Sequence, residues 1–204
     1  MELLDLPECI SSYKILSENT TELTIEVSIS VPEDKIHEVF RIRINFDAII
    51  PQVLELDFII PWDIDRHVSP TNGFFCVAPH LKITSFLVSN SFNKDLYIKQ
   101  FVIPFLKNQI YYSRNGEWIN GEYSHYGKGI IEFYSENVRQ SNLQKLIDIL
   151  EKLLVNRYKY ERNYLCFCGS NLKYKNCHLN KTLSQNERLA IQSDIDILKK
   201  TKII

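Results

Sequence analysis

The chain has 204 residues and a formal net charge of −1, with 45% hydrophobic and 24% charged residues. These values are typical of a folded globular protein and exclude a disordered chain. The charge is uneven, because residues 156–204 carry ten Lys and Arg against four Asp and Glu. We interpret this basic end as the solvated face of a helix, so the charge pattern does not favour nucleic acid as a partner.

The N-terminus and the cysteines indicate a cytoplasmic protein. Residues 1–7 lack the basic start and the long apolar core of a signal peptide. No apolar run approaches the roughly 18 residues that a membrane span needs, so we expect no membrane contact. Five cysteines are present and three of them fall within residues 166–177, which fits metal binding in a reducing compartment better than a disulfide framework.

The first half of the chain predicts an antiparallel meander. Residues 1–12 suggest a short helix or an ordered arm. Apolar and polar side chains alternate over residues 21–31 and again over residues 39–46, as in half-buried strands. A third apolar run covers residues 53–58. We therefore expect at least three strands leading into a loop over residues 67–76.

The second half predicts helices. One is expected to begin near residues 91–93, with a kink or break at Pro104. Glycines at residues 127–129 suggest a turn. Apolar residues recur three and four apart over residues 138–154, which is the clearest helical pattern in the chain. Ser184-Gln185-Asn186-Glu187 has the form of a capping box and predicts the start of the last helix.

The stretch from residue 66 to residue 77 brings together a thiol, an imidazole, short polar side chains and a glycine. Cys76 follows a polar, glycine-containing loop and is therefore expected to be exposed, as a reactive thiol must be. Alternatively, Cys76 is a small buried hydrophobe. His80 or His125 as its base would indicate a cysteine hydrolase, although nothing in their spacing favours this.

A second cluster of cysteines lies near the C-terminus and offers three thiolates and one imidazole, from Cys166, Cys168, Cys177 and His178. This is the ligand set of a closed structural zinc site, so we predict Zn²⁺ as a structural cofactor. A module of about 20 residues cannot build its own apolar core, so metal binding is expected to fold it. The alternative is a set of buried cysteines without metal.

This cluster resembles the SEC-C motif, C-x-C-G-S-x-x-K-x-K-x-C-[CH], with Lys173 and Lys175 at the two lysine positions. The departure is Phe167, where proline is usual, and we expect this side chain not to touch a ligand. The resemblance implies an accessory adaptor that recognises a partner. It implies nothing about a reaction.

The order of elements over residues 1–155 resembles the ubiquitin-conjugating (UBC) fold. Phe46 and Pro51 match the phenylalanine and proline of its proline-bearing turn. His67-Val68-Ser69 stands where the family has His-Pro-Asn, and Gly73-Phe74-Phe75-Cys76 where it has Gly-x-Ile-Cys. Ser69 replaces the family's asparagine, which departs from the standard mechanism.

The resemblance implies a site made of Cys76, His67, Ser69 and Asn72. Cys76 would carry the C-terminus of a partner protein as a thioester and pass it to an acceptor lysine. His67 would be mainly structural, and Asn72 would offer the amide donor that Ser69 cannot. Divergent bacterial members of this fold occur in CBASS antiphage operons. There the donor is a ubiquitin-like protein or the C-terminus of the cyclic-oligonucleotide synthase, with or without a separate activating enzyme.

We therefore predict an α+β protein with a UBC-like meander sheet and packed helices over residues 1–160. Residues 161–204 are predicted to form a SEC-C-type zinc knuckle with a terminal helix. A rival hypothesis keeps this fold but makes Cys76 inert, so that the chain is a non-catalytic binding module that recruits a partner through its surface and its knuckle.

Overall fold

The computed structural model describes residues 9–31, 36–118, 122–138, 142–155, 162–179 and 182–201. These residues form an α+β structure with one antiparallel sheet and five helices. They group into two compact units. The N-terminal unit comprises Met1–Ala78 and Ser89–Glu122, and the C-terminal unit comprises Pro79–Val88 and Tyr123–Ile204. The predicted domain boundary at residues 160/161 stays a prediction.

The sheet is a simple meander in which each strand pairs with the next. Its strands are β1 (Ile10–Glu18), β2 (Glu22–Val31), β3 (Ile36–Asn45) and β4 (Gln52–Glu55), and all three pairings are antiparallel. The predicted alternation places one side of the two central strands in the core, because side chains two apart share a face. The buried residues on this face are Leu23, Ile25, Val27, Ile29, Phe40, Ile42 and Ile44.

Strand β1 corrects the prediction for the start of the chain. Residues 10–12 belong to this strand and not to a helix or arm, while residues 1–8 lie outside the described residues. The sequence signal is weak because β1 is an edge strand with most of its side chains exposed, including Ile10 at 67%. Half-buried alternation is therefore missing there.

A buried carboxylate shapes the chain where β4 ends. Glu55 is only 3% exposed and lies on the inner face with Val53. Its carboxylate oxygens accept the N–H groups of Asp57 at 2.5 Å, Ile59 at 2.7 Å and Ile60 at 3.4 Å. These bonds compensate the desolvation of the carboxylate and fold the following residues into a tight turn.

Helix α2, over residues 94–115, lies against the sheet, with the Tyr97 ring edge-on to Phe46 at a centroid distance of 5.7 Å. It begins after the N-cap residue Asn93, as predicted. The predicted break at Pro104 is wrong, since the helix continues through that residue, while the alternative of a kink stays a prediction. A π-helical turn directly before Pro104 accommodates the proline ring and the missing N–H. The three continuous segments of α2 are Lys94–Tyr97, the π-helical Ile98–Val102, and Ile103–Asn115.

The C-terminal unit is built from four helices and the cysteine cluster. Helix α1 spans His80–Ser89, and its last residue belongs to the other unit. The remaining helices are α3 (Tyr126–Val138), α4 (Leu143–Leu154) and α5 (Gln185–Lys200). Helix α5 starts with the predicted capping box, in which Ser184 and Glu187 bond reciprocally. Its Arg188 donates to the carbonyl of Leu154 at the end of α4 at 2.7 Å.

Two predictions for this half are wrong in detail. Residues 127–129 form the start of α3 and not a turn, and Val138 ends α3 and does not belong to the helix that follows. Leu146, Ile147 and Leu150 of the predicted stripe are buried. Among the described residues, no helix has both the length and the apolar character that a membrane crossing requires.

We predict that Glu55→Gln lowers the free energy of unfolding by about 1–3 kcal/mol. Glutamine keeps the shape but has one acceptor oxygen, and its NH₂ group would face backbone N–H donors that are already buried. Denaturant titration followed by circular dichroism measures the effect. Glu117→Gln is the matched control, because Glu117 is exposed, and equal stability of the two variants would contradict the role of Glu55.

Candidate functional site

The loop from His67 to Cys76 is closed by its own backbone. The Cys76 N–H donates to the His67 carbonyl at 2.8 Å, and the Ser69 N–H donates to the Phe74 carbonyl at 2.9 Å. The Gly73 N–H donates to the Ser69 carbonyl at 2.8 Å and tightens the tip. The two ends of the loop are therefore cross-strand neighbours, which brings the predicted residues His67 and Cys76 together.

Both ends of the loop are also fixed to helix α2. The Arg66 guanidinium donates to the side-chain oxygen of Gln109 at 2.7 Å and to Ser113 Oγ at 2.7 Å. Gln109 donates back to the Arg66 carbonyl at 2.6 Å. At the other end, the ring of Phe75 lies 4.6 Å from that of Phe105. A loop held at both ends loses little further entropy when a ligand binds, so it is suited to present a side chain.

The side chain of His67 is held by contacts with other side chains. Its backbone has φ 52°, the left-handed cap of the short 3₁₀ helix Ile64–Arg66. Its Nε2 lies 2.7 Å from a carboxylate oxygen of Glu122, and its ring packs edge-on against Trp118 at 5.2 Å. These contacts fix the imidazole. The mainly structural role expected for His67 stays a prediction.

Ser69 and Asn72 are used within the turn. Ser69 Oγ lies 3.2 Å from Thr71 Oγ1, and Asn72 Oδ1 accepts the Phe74 N–H at 3.1 Å. The Nδ2 amino group of Asn72 is the donor of this side chain. Its predicted role toward an oxyanion stays a prediction.

Cys76 is an exposed residue, so the alternative of a buried small hydrophobe does not describe it. The surrounding protein atoms nevertheless desolvate the thiol and raise its pKa. No charged or hydrogen-bonding group among the described residues lowers that pKa. The thiol is therefore mostly protonated at neutral pH, unlike the activated cysteine of a hydrolase.

His80 has a partner in the C-terminal unit. Its Nδ1 lies 3.6 Å from a carboxylate oxygen of Asp194, and the other oxygen of Asp194 accepts the Tyr134 hydroxyl at 2.8 Å. Burial raises the pKa of Asp194, while Tyr134 and His80 act against that increase. His125, the other histidine considered for a hydrolase, lies in the same unit.

The cysteine cluster is organised by a short two-stranded turn. Leu165 bridges Lys173 in antiparallel fashion, and the Cys166 N–H donates to the Leu172 carbonyl at 2.7 Å. Gly169 adopts φ 77°, a conformation that glycine takes without strain. The 3₁₀ turn Tyr174–Asn176 then delivers the last two predicted ligands.

The four predicted ligands come together. The three sulfurs and one histidine nitrogen all lie within 4.8 Å of one another. Cys168 Sγ is 3.5 Å from Cys177 Sγ, and His178 Nδ1 is 3.2 Å from Cys166 Sγ and 3.1 Å from Cys177 Sγ. Tetrahedral zinc with Zn–S bonds of about 2.3 Å requires sulfurs about 3.8 Å apart. The cluster is therefore close to the size that such an ion needs.

The electrostatics of the cluster also fit a cation. Desolvation raises the pKa of Cys166 to about 12. Desolvation also opposes ionisation of Cys168, but hydrogen bonds from Ser170 and the neighbouring cysteines outweigh it and lower its pKa. Three partly buried sulfurs at this spacing cannot all ionise unless a positive charge lies between them. A metal ion would supply that charge.

One expectation about the cluster is wrong. Phe167 does contact a ligand, since its ring lies 5.4 Å from the His178 ring and 5.9 Å from Tyr174. The expectation that metal binding folds this segment stays a prediction. Cys166, Cys168 and Tyr174 are buried together with residues of helices α3, α4 and α5, so the segment shares the core of the C-terminal unit and does not build its own. Metal binding would therefore complete a core that the helices already supply. The charge-balancing role of Lys173 and Lys175 stays a prediction.

Sequence reasoning missed the residues that support the Cys76 loop. Arg66 and Glu122 gave no local signal, because their partners lie 43 and 55 residues away in the chain. Trp62 was also missed, because its contact is with a glycine that lies elsewhere in the chain. A Cβ atom at Gly73 would lie 2.5 Å from the Trp62 ring, so the indole covers the turn where only a glycine leaves room.

We predict that Gly73→Ala disturbs the loop more than backbone strain alone explains. Both Gly73 and Gly116 have φ near +70°, but a Cβ at Gly116 meets nothing within 4 Å. Gly116→Ala should therefore cost only the strain of about 1–2 kcal/mol. Gly73→Ala should cost more and also shift the tryptophan emission, as denaturation and fluorescence will measure. An unchanged spectrum with equal stability of the two variants would refute the close contact.

Comparison with known proteins identifies one segment of the chain. The family model described as the SEC-C motif matches residues 162–180, the segment that holds the cluster. SEC-C is a zinc-binding motif, and its four ligand positions lie together here. No curated protein and no solved structure matches the chain.

Proposed function

We propose that the chain is a UBC-like acyltransferase that carries the C-terminus of a partner protein on Cys76 and transfers it to a lysine. One observation carries the proposal. Cys76 is exposed at the end of a loop that is closed by the bond to His67 and fixed to α2 at both ends. The four-stranded meander that precedes this loop is consistent with the proposed fold.

The proposed reaction has two acyl transfers. The Cys76 sulfur loses its proton and attacks the carbonyl carbon of an activated C-terminal glycine. A C–S bond forms, and the bond to the leaving group breaks. The leaving group is AMP when the donor is an adenylate, or the thiolate of an activating enzyme when the donor is a thioester. A lysine amine then attacks the thioester, the C–N bond forms, and the C–S bond breaks to restore the thiol.

The raised pKa of Cys76 suits a carrier better than a hydrolase. A thiol that stays protonated is protected from oxidation and stray alkylation until an activated donor arrives. Deprotonation then depends on the donor complex. The Nδ2 group of Asn72, in the same loop, is the proposed donor to the tetrahedral oxyanion.

The C-terminal cluster is proposed to hold one structural zinc ion through Cys166, Cys168, Cys177 and His178. The ion would complete the core of the C-terminal unit and orient the exposed side chains of this segment. In the antiphage operons to which the sequence resemblance points, the donor would be a ubiquitin-like protein or the synthase itself. The protein would then act in bacterial defence.

A non-catalytic adaptor is the second candidate. It is favoured by exposed apolar residues on the SEC-C segment, namely Tyr164 at 57%, Leu165 at 61% and Leu172 at 51%. Exposed apolar side chains of this size are common at partner surfaces. In this case Cys76 would have no chemical role, and the raised pKa of its thiol would need no explanation.

We predict that the protein, mixed with its donor, activating enzyme and ATP, forms an adduct that is lost on reduction. Non-reducing electrophoresis should show the adduct in the wild type and in Cys9→Ala, but not in Cys76→Ala. Cys76→Ser should form an adduct that resists thiols and is cleaved by hydroxide, because an oxygen ester replaces the thioester. Full biological activity of Cys76→Ala would instead support the adaptor.

We also predict about one zinc ion per chain in elemental analysis of the purified protein. Cys168→Ser should lose the metal, while Cys9→Ser should retain it. Hydrogen exchange over residues 162–179 should rise after chelation, with helices α3 to α5 still partly protected by their shared core. A wild-type protein without metal, or a Cys168→Ser variant with full zinc content, would exclude the proposed site.

A further inference from the structure

One aromatic side chain of the SEC-C segment packs directly on a predicted metal ligand. The Phe167 ring lies 5.4 Å from the His178 ring, and the two rings are inclined by 32°, an offset and nearly parallel arrangement. The SEC-C motif usually has proline at this position. The ring contact is therefore a feature of this chain, and the motif does not imply what it does for metal binding.

The neighbours of Phe167 hold its ring in place. Phe167 lies between Cys166 and Cys168, and both of these flanking residues are buried. The Cys166 N–H also donates to the Leu172 carbonyl at 2.7 Å. In addition, the Phe167 ring lies 5.9 Å from the ring of Tyr174, which is buried. The phenyl ring is therefore a fixed support against which another ring can pack.

The backbone of His178 alone does not fix the direction of its imidazole. The His178 N–H donates to the Tyr174 carbonyl at 3.1 Å, but two side-chain torsions still have to be selected. In the structure, His178 Nδ1 lies 3.2 Å from Cys166 Sγ and 3.1 Å from Cys177 Sγ. Packing against Phe167 favours this orientation, and a ligand that is ordered before the metal arrives binds it more tightly.

The chemistry of the ring contact adds a second effect. The face of a phenyl ring carries partial negative charge and attracts positive groups. An imidazole that binds a divalent cation is more positive than a free neutral imidazole. The Phe167 ring therefore interacts more strongly with His178 when a metal is bound, whereas an aliphatic side chain would fill the same space without this preference.

We propose that Phe167 is a positioning residue for the metal ligand His178. Its ring holds the imidazole with Nδ1 toward the three cysteine sulfurs, and it favours the metal-bound state over the metal-free one. Phe167 acts through His178 and does not itself bind the ion. This inference rests on the proposed zinc site and is independent of any role of Cys76.

The test is the zinc affinity of the full-length protein, measured by competition with a chromophoric chelator. Phe167→Leu keeps an apolar side chain but removes the ring, and it should weaken zinc binding about tenfold, as for other residues that support metal ligands. Phe167→Tyr restores the ring and should bind zinc within about twofold of the wild type. Wild-type affinity in Phe167→Leu, or a Phe167→Tyr variant as weak as Phe167→Leu, would overturn the proposal.

Phe133→Leu is the matched control for lost core packing. Phe133 and Phe167 are both half-buried against the same core, but the Phe133 ring packs on Tyr123 and Tyr134. Phe133→Leu should lower stability and change zinc affinity by no more than about twofold. An equal loss of zinc affinity in the two leucine variants would assign the effect to the shared core and overturn the positioning role.

Cobalt(II) in place of zinc reports the orientation of the imidazole. Its visible d–d bands depend on ligand arrangement and should differ between Phe167→Leu and the wild type. The thiolate-to-metal charge-transfer intensity should stay the same, because all three cysteines remain. Identical d–d bands would contradict the positioning of His178. A wild type that binds neither metal would refute the proposed zinc site as well, whereas normal binding that Phe167→Leu does not alter would refute the role of Phe167 alone.

Discussion

The attachment of the His67–Cys76 loop to helix α2 is the constraint on which the account depends. Arg66 and Gln109 exchange hydrogen bonds at one end of the loop, and Phe75 packs on Phe105 at the other. Between these anchors the chain turns on glycine at Gly73, and its backbone closes so that Cys76 lies opposite His67. An exposed cysteine residue on a loop that is fixed at both ends accounts for this geometry, and it explains why so many contacts serve one short loop.

The two units of the chain are stabilised by different features. In the N-terminal unit, a sheet with one apolar face carries the loop, and a buried carboxylate at Glu55 shapes the chain that leads into it. In the C-terminal unit, helices α3 to α5 share a core with the buried cysteines of the SEC-C segment. A metal ion there would act on a core that is already formed, so its contribution is local stability and orientation.

Regular patterns in the sequence predicted the parts of the structure that local physics determines. The alternation in β2 and β3, the capping box at Ser184 and the spacing of the metal ligands each specify a geometry within a few residues. The glycines within residues 127–129 led to the wrong prediction of a turn, because their role in the structure is close packing. A Cβ at Gly127 would lie 1.9 Å from the Thr201 side chain, and one at Gly129 would lie 1.8 Å from the Ser124 carbonyl. Contacts such as Arg66 with Gln109 depend on the tertiary fold and leave no local pattern.

We propose that position 76 carries an acyl group in the cell. The most direct measurement is mass spectrometry of a Cys76→Ser variant purified from cells in which the wild-type protein is active, because an oxygen ester survives purification. We expect a peptide in which the C-terminal glycine of another protein is esterified to the serine introduced at position 76. The absence of any adduct at that position, together with full activity of Cys76→Ala in the same cells, would contradict it.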